Sequence, residues 1–352
     1  MRSWQIVDFN MPLCENVSEL PRPTGTQVLV KVGACGVCHS DVHLWQGYFD
    51  LGNGQKLSFA QTMKLPFTIG HEIVGEVVEA GPEAEGVVAG ARRVVFPWLG
   101  CGTCSMCLSD REHLCNAKQS IGTRQPGGFS DYVLVPHPRY LVEFGDLPET
   151  LACTYACSGV TAYSALKKVG ELSPEDWVLL IGAGGVGLSA VNIAPLATRA
   201  RIMVADIDAG RRQAALDAGA HATVDNGSRE GVAAAKQLTG GNIWAAIDFV
   251  GRPETAQFAL DSLHRGGTLI LVGLHGGALS LPLATLPPRL LTIRGSQVGT
   301  LSEMRELMAL ARAGRINPIP IETRPMSRVT ETLEQLHAGQ VTGRVVLRPD
   351  QR

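Results

Sequence analysis

From about residue 155 the apolar positions fall into short unbroken runs, each followed by a stretch with helical spacing. "SGVTAYSALKKVG" reads as a helix. Then follow "DWVLLIG" (strand), "GVGLSAVNIA" (helix), "RIMVADID" (strand) and "AGRRQAALDAGA" (helix). "AAIDFVG" (strand), "PETAQFALDSLHRGG" (helix) and "TLILVG" (strand) continue the series. Continuous apolar runs suit strands buried on both faces, and their alternation with helices predicts a parallel, doubly wound sheet. Past about residue 290 the alternation fades into a strand in "RLLTIRGSQVG", a helix in "LSEMRELMALARAG" and a strand in "TGRVVLRP". Residues 1 to about 150 have a different texture, rich in Gly, Pro and β-branched residues. "TQVLVKVGACG" predicts a strand entering a turn, "HEIVGEVVEAG" a strand with a bulge or close approach at Gly75, and "FSDYVLVP" another strand. The fold class expected is therefore α/β plus β.

The length of 352 residues agrees with two domains. A net charge of −2 offers no electrostatic case for nucleic acid or an anionic membrane surface. The opening "MRSWQIVDFNMP" lacks the apolar core of a signal peptide, and no apolar run is long enough for a membrane span, so a cytoplasmic protein is expected. The nine cysteines change the picture more. In a reducing compartment clustered cysteines are more often metal ligands or catalytic groups than disulfides, and an odd number fits a disulfide framework poorly.

"LLIGAGGVGLSAV" places Gly182-x-Gly184-x-x-Gly187 between a strand and a helix. The next strand closes on Asp206, 19 residues beyond Gly187, near the roughly 20 expected of a dinucleotide fingerprint. Gly182 permits the tight turn, Gly184 lets the backbone approach a pyrophosphate, and Gly187 allows close helix–strand packing. The helix N-terminus offers unpaired N–H groups to the phosphates. Asp206 can accept from a ribose diol and would repel a 2′-phosphate, which favours NAD over NADP; Arg211 could partly offset this. The competing reading is a glycine-rich packing turn. Pro195 breaks the local rule, since it should kink or end the helix it sits in.

"CGTCSMCLSDREHLC" sets Cys101, Cys104, Cys107 and Cys115 in one loop. Four thiolates match a closed tetrahedral zinc site, against two local disulfides or free thiols. Such a metal would fold a lobe, about residues 95–117, with little core of its own. His113 within it is expected at the surface. The segment "GACGVCHSDVH" holds Cys38, "IGHEIVGE" holds His71, and "YACSGVTAY" holds Cys157. Spacing alone cannot assemble three residues so far apart. Cys14, Cys35 and Cys153 are expected to serve packing.

"CGVCHSDVH", "GHEIVGEV", the four-cysteine lobe, "CSGVT", "GAGGVG" and "VADID" occur in this order along nearly the whole chain. The chain thereby resembles the zinc-dependent medium-chain alcohol dehydrogenases. The resemblance implies a GroES-like catalytic domain (1–153 and 292–352), a Rossmann NAD-binding domain (154–291), and a catalytic zinc in the cleft between them. By position, Cys38, His71 and Cys157 match that zinc's ligands, a Cys2His set with one open place. Glu72 matches a carboxylate that can approach the metal, and Asp41 the group that orients the ligand histidine. Ser40 matches the hydroxyl on the substrate oxygen, and His43 the outer end of a proton relay reaching solvent through the cofactor ribose. Thr161, Val272, Gly185 and Val186 join the cofactor contacts. Arg211 matches a basic residue near the adenosine ribose, and Arg344 one near the pyrophosphate.

The chain also departs from its relatives. His39 stands where many have arginine beside the pyrophosphate, which implies looser or more pH-sensitive cofactor binding. Residues 51–63 form an enlarged loop expected near the substrate entrance, and Trp98 falls near the expected substrate wall. The resemblance implies two zinc ions per chain, NAD as cofactor, a small alcohol and its aldehyde or ketone as substrates, and a homodimer or homotetramer. A polyol or sugar dehydrogenase of the same superfamily is the nearest alternative, although its third ligand is commonly glutamate. A zinc-free quinone reductase would lack both cysteine sets. A non-catalytic NAD-binding protein would be expected to lose Ser40, His43 or a zinc ligand.

Overall fold

A computed structural model describes residues 1–350. Its six-stranded sheet runs Ala222–Val224, Arg201–Ala205, Trp177–Ile181, Ile243–Asp248, Thr268–Leu271 and Thr292–Gly295, and every pairing is parallel. All five side chains of Trp177–Ile181 are buried, so "WVLLI" shows no alternation. The first strand in sequence lies at the centre and the order reverses between it and Ile243–Asp248. That reversal opens a crevice at the carboxyl ends of the strands, where ligands bind in such sheets.

The second sheet is built from both ends of the chain. The antiparallel strands Val28–Gly36, Glu72–Ala80, Arg92–Val95, Tyr132–Val135 and Leu141–Val142 are joined by Arg344–Arg348, which pairs with Val28–Gly36, and by Ile321–Pro325 at the edge. Gly75 proves to be a close approach: a Cβ there would collide with the Lys31 carbonyl. The extra residue of the bulge is on the partner strand, where the register skips Gly33.

Two expectations about the sheets need correction. A boundary at residue 292 assigns Thr292–Gly295 to the first domain, but its ladder to Thr268–Leu271 makes it the edge of the parallel sheet. The strand Ala222–Val224, the helix Gly231–Thr239, the strand Ile321–Pro325 and the helix Val329–His337 are additional to the elements the pattern predicts. The two strands are short and mostly partly exposed, which erases their alternation. Pro195 lies in the last turn of the helix Gly185–Ala197, so it loses little more than one hydrogen bond and the helix stops at Thr198.

Candidate functional site

The chemistry begins on the helix His39–Gln46, whose residues Asp41 to Trp45 are buried. Asp41 accepts the Cys38 N–H (2.8 Å) and also lies 3.1 Å from His71 Nδ1. One carboxylate thus caps the helix and fixes the imidazole, leaving Nε2 to face the thiols. His71 Nε2 is buried without a partner. The Cys38 and Cys157 sulfurs are 3.9 Å apart, and the ligand atoms of all three residues lie within 4.8 Å of one another. Zinc–sulfur bonds of about 2.3 Å at a tetrahedral angle span roughly 3.8 Å, so the donor set fits zinc. The hydrogen bond from Cys157 does most to lower the Cys38 thiol's pKa, and the same bond raises that of Cys157.

Cys101, Cys104, Cys107 and Cys115 also gather within 4.8 Å, with Cys104 Sγ 3.5 Å from Cys107 and 3.8 Å from Cys115. None of the nine cysteines is in a disulfide. Backbone N–H groups of Cys101 and Cys104 point at sulfurs of the set (3.4 Å each), as suits thiolates around a closed metal site.

A cleft of about 1110 Å³ joins the Cys38–His71–Cys157 cluster to the crevice of the parallel sheet. Gly182 has φ +91°, which side-chain-bearing residues rarely adopt. A Cβ on Gly187 would strike the Gly182 carbonyl, while Gly184 is open to the cleft. Gly185, Val186, Val272 and Thr161 line the cleft as well. Asp206 is buried at its expected strand end. Its two oxygens accept the N–H groups of Ala183 (2.8 Å) and Asp208 (2.9 Å), which pins the carboxylate over the glycine turn. Arg211 lines the cleft and donates to the Gly339 carbonyl (2.8 Å). These features fit a dinucleotide.

Both oxygens of Glu72 are engaged by other partners. Its Oε1 accepts the Ser158 N–H (3.2 Å), and its Oε2 pairs with Arg344. Arg344 also packs its side chain against Gly185 at the start of the glycine helix, with Nε buried and unpartnered. Ser40 and His39 face the cleft. His39 sits 5.3 Å from the His43 ring and 5.9 Å from that of His275, and burial lowers its pKa.

Three expectations fail here. His43 is not at the solvent end of a path. It is buried between His39 and Phe49 (5.1 Å), with Nε2 unpartnered, and burial lowers its pKa to about 4. His113 is not on the surface but half-buried on the cleft wall. Cys14 is exposed on the edge strand Cys14–Val17, whereas Cys35 and Cys153 are buried as expected.

The enlarged loop folds into a hairpin, Tyr48–Gly52 with Gln55–Ser58. Its Asp50 carbonyl meets the Gly277 N–H across the cleft. Phe49, Phe59 and Trp98 line the cleft, and Trp98 Nε1 donates to the Ala156 carbonyl (2.8 Å) beside His71. His275, Arg252 and Lys118 also face the cleft, and no motif marks them. Single polar residues in loops carry no signal until the fold gathers them.

The chain matches the family models "Alcohol dehydrogenase GroES-like domain" over residues 24–146 and "Zinc-binding dehydrogenase" over residues 185–313. It is 36% identical to an NAD-dependent alcohol dehydrogenase of Sulfurisphaera tokodaii, covering 99% of this chain and 100% of the relative. It superposes on the crystal structure of the alcohol dehydrogenase of Aeropyrum pernix with TM-score 0.90 and 31% identity, covering 99% of this chain and 100% of that one. It is also similar to the D-arabinose dehydrogenase of Sulfolobus solfataricus, with TM-score 0.83, 26% identity and 99% of both chains covered. Full-length similarity, a doubly wound sheet joined to a GroES-like domain, and two zinc-competent donor sets meet in one conclusion: the chain belongs to the zinc-dependent medium-chain alcohol dehydrogenase family.

Proposed function

We propose that the protein oxidises a primary or secondary alcohol with NAD, reversibly. The alcohol carbon gives up a hydride to the nicotinamide, its hydroxyl gives up a proton, and the products are a carbonyl compound, NADH and H⁺. The carrying observation is that Cys38, His71 and Cys157 converge, with His71 Nε2 unpartnered, on the cleft that the glycine turn also lines. Zinc held by these three would supply Lewis acidity that lowers the pKa of the alcohol. A second zinc would be held by the four-cysteine set and serve folding. NAD, held along Gly182–Gly187 with its ribose diol at Asp206, would supply the hydride acceptor.

The chain's own part is to position groups and move a proton. Ser40 is the first acceptor of the substrate proton. His43, one turn along the same helix, is the next and is neutral above its lowered pKa. Asp41 holds His71 in one tautomer. Arg344, His39, Thr161, Val272 and Arg211 hold the cofactor, and Glu72 serves as the buried partner of Arg344. A division into 1–153 with most of the C-terminal segment, and a Rossmann unit extended to residue 295, follows the pairing of the strands. The outer edge of Thr292–Gly295 is unpaired in one chain, which supports a homo-oligomer joined through that sheet. Among the described residues no helix is long and apolar enough to cross a membrane, and we place the protein in the cytoplasm.

A sugar or polyol substrate is the alternative. Phe49, Phe59 and Trp98 give the cleft an apolar stretch that favours a substrate with an apolar body, and the similarity to the D-arabinose enzyme keeps the alternative testable. NADH formation with primary, secondary, aromatic and polyol alcohols, with and without chelator, checks the reading. Turnover is expected on alcohols with an apolar body and is lost on chelation. A zinc-loaded enzyme inactive on every alcohol would refute it.

His43→Gln is expected to lower turnover by about 10²-fold, the scale of one proton-transfer group. It also has a stability signature. Because the folded-state pKa is near 4 and the ordinary value is 6.5, the unfolded chain takes the proton first. Stability from this group is complete above pH 6.5 and is lost as pH falls towards 4. Tm measured across that window should fall less steeply in the variant than in the wild type.

A further inference from the structure

The hairpin formed by the enlarged loop reaches across the cleft, and its tip is seated on the Rossmann unit backbone against backbone. The Gly277 N–H meets the Asp50 carbonyl at 3.4 Å. A Cβ on Gly276 would strike that same carbonyl, and a Cβ on Gly52 would strike the Ala278 nitrogen. The seat therefore has no room for an added atom. The strand that ends in this tip also carries Phe49, which lines the cleft and lies against the His43 ring (5.1 Å).

The turn that holds the tip is Asn53–Gly54. Asn53 has φ +53° and Gly54 φ +75°, the left-handed pair that favours Asn-Gly in a two-residue hairpin loop. Asparagine is a thermolabile residue. It cyclises most readily before glycine, whose backbone nitrogen has no side chain beside it to block the approach to the asparagine amide. The pair occurs twice in the chain, as Asn53–Gly54 and Asn226–Gly227. The second is guarded. Its Gly227 N–H is held by Asp225 Oδ1 (2.8 Å), Asn226 Oδ1 is buried, and Ile207 fills the space beside the Gly227 Cα. The first is open. Both residues are exposed, and nothing lies within 4 Å of the place a Gly54 Cβ would take. Among the described residues neither the Gly54 N–H nor the Asn53 side chain has a hydrogen-bond partner.

We propose that Asn53 is a self-modification site whose conversion unlatches the hairpin from Gly276–Ala278. The Gly54 nitrogen bonds to Asn53 Cγ, the Cγ–Nδ2 bond breaks, and the Gly54 proton leaves with that nitrogen as ammonia. Water then opens the cyclic imide to aspartate or isoaspartate. Nothing is oxidised or reduced, and water is the only co-reactant. Isoaspartate routes the backbone through the side-chain carbon, which lengthens a loop whose seat has no room. Either product adds a negative charge close to Asp50. The modification stands apart from the dehydrogenase reading, and its effect on the cofactor rests on that reading.

Ageing the full chain at mildly alkaline pH and mapping its peptides by mass tests the site. Asn53 should convert to aspartate and isoaspartate, resolved by chromatography, while Asn226 stays an amide. An amide retained at Asn53, or equal conversion at both positions, would overturn the proposal. NADH release from the zinc-loaded enzyme, followed by stopped-flow fluorescence, reads the unlatching. Converted wild type should release NADH about fivefold faster than fresh protein, the scale of one net hydrogen bond. Asn53→Gly keeps a Gly-Gly turn, cannot cyclise there, and should release NADH equally before and after ageing. The same acceleration in aged Asn53→Gly, or none in converted wild type, removes the unlatching. If the chain binds no NADH, the dehydrogenase reading fails and the peptide map still decides the modification.

Discussion

On the proposed two-zinc reading, Cys38→Ser should halve the zinc content to one per chain and should lower turnover by about 10³-fold or more. A Lewis-acid metal contributes several kcal/mol of transition-state stabilisation, and each ~1.4 kcal/mol is tenfold in rate. The remaining zinc would be held by Cys101, Cys104, Cys107 and Cys115, whose sulfurs form a set separate from Cys38, His71 and Cys157. Zinc content by mass spectrometry, read beside thermal unfolding, separates the two sites. Serine retains the shape but not a thiolate, so the fold should persist while one metal is lost. A variant that kept two zinc ions and its turnover would remove Cys38 from the metal site.

The second large effect is on stability. Arg344→Met should destabilise the protein by about 3–5 kcal/mol, because it strands a buried carboxylate. Glu72 is 0% exposed and Arg344 5% exposed, so water cannot replace the lost partner. Burial, the largest influence on the Glu72 carboxyl, already raises its pKa, and Arg344 opposes that rise. Removing Arg344 takes away the largest influence that opposes this burial. A fall in Tm of about 10 °C is expected for a domain of this size. Adding Glu72→Gln should recover most of it, since the amide oxygen can still accept the Ser158 N–H that now goes to Glu72. If the double variant is no more stable than Arg344→Met, the buried pair is not the source of the loss.

Much of the parallel sheet was legible because strands buried on both faces leave unbroken apolar runs. "WVLLI" is such a run and is a strand of the sheet, and "TLIL", with its middle pair buried, is another. The edges were harder. Thr292–Gly295 is exposed throughout, so its composition says nothing about which sheet it joins; only its ladder to Thr268–Leu271 does. Ile321–Pro325 pairs with Arg344–Arg348 at the margin of the other sheet, and its mixed charges resemble a loop. Gly75 reads equally as a bulge or as a close approach; it is the close approach, and the bulge is on the strand it approaches, which one strand's sequence cannot reveal.

By itself the sequence determined what near neighbours can settle. The glycine turn needs Gly182 at positive φ and a bare Cα at Gly187, and both demands lie within one strand–turn–helix unit. The four-cysteine lobe closes within residues 101–115, where spacing alone brings sulfurs together. Tertiary structure decided the rest. It drew Cys38, His71 and Cys157 into one cluster across 119 residues of chain and gave Glu72 its partner 272 residues away. It also buried His43 under Phe49 and turned His113 and Lys118 onto the cleft wall. Contacts at such separations leave no periodic trace in the chain, because periodicity records only which face of one element is buried, not which partner buries it.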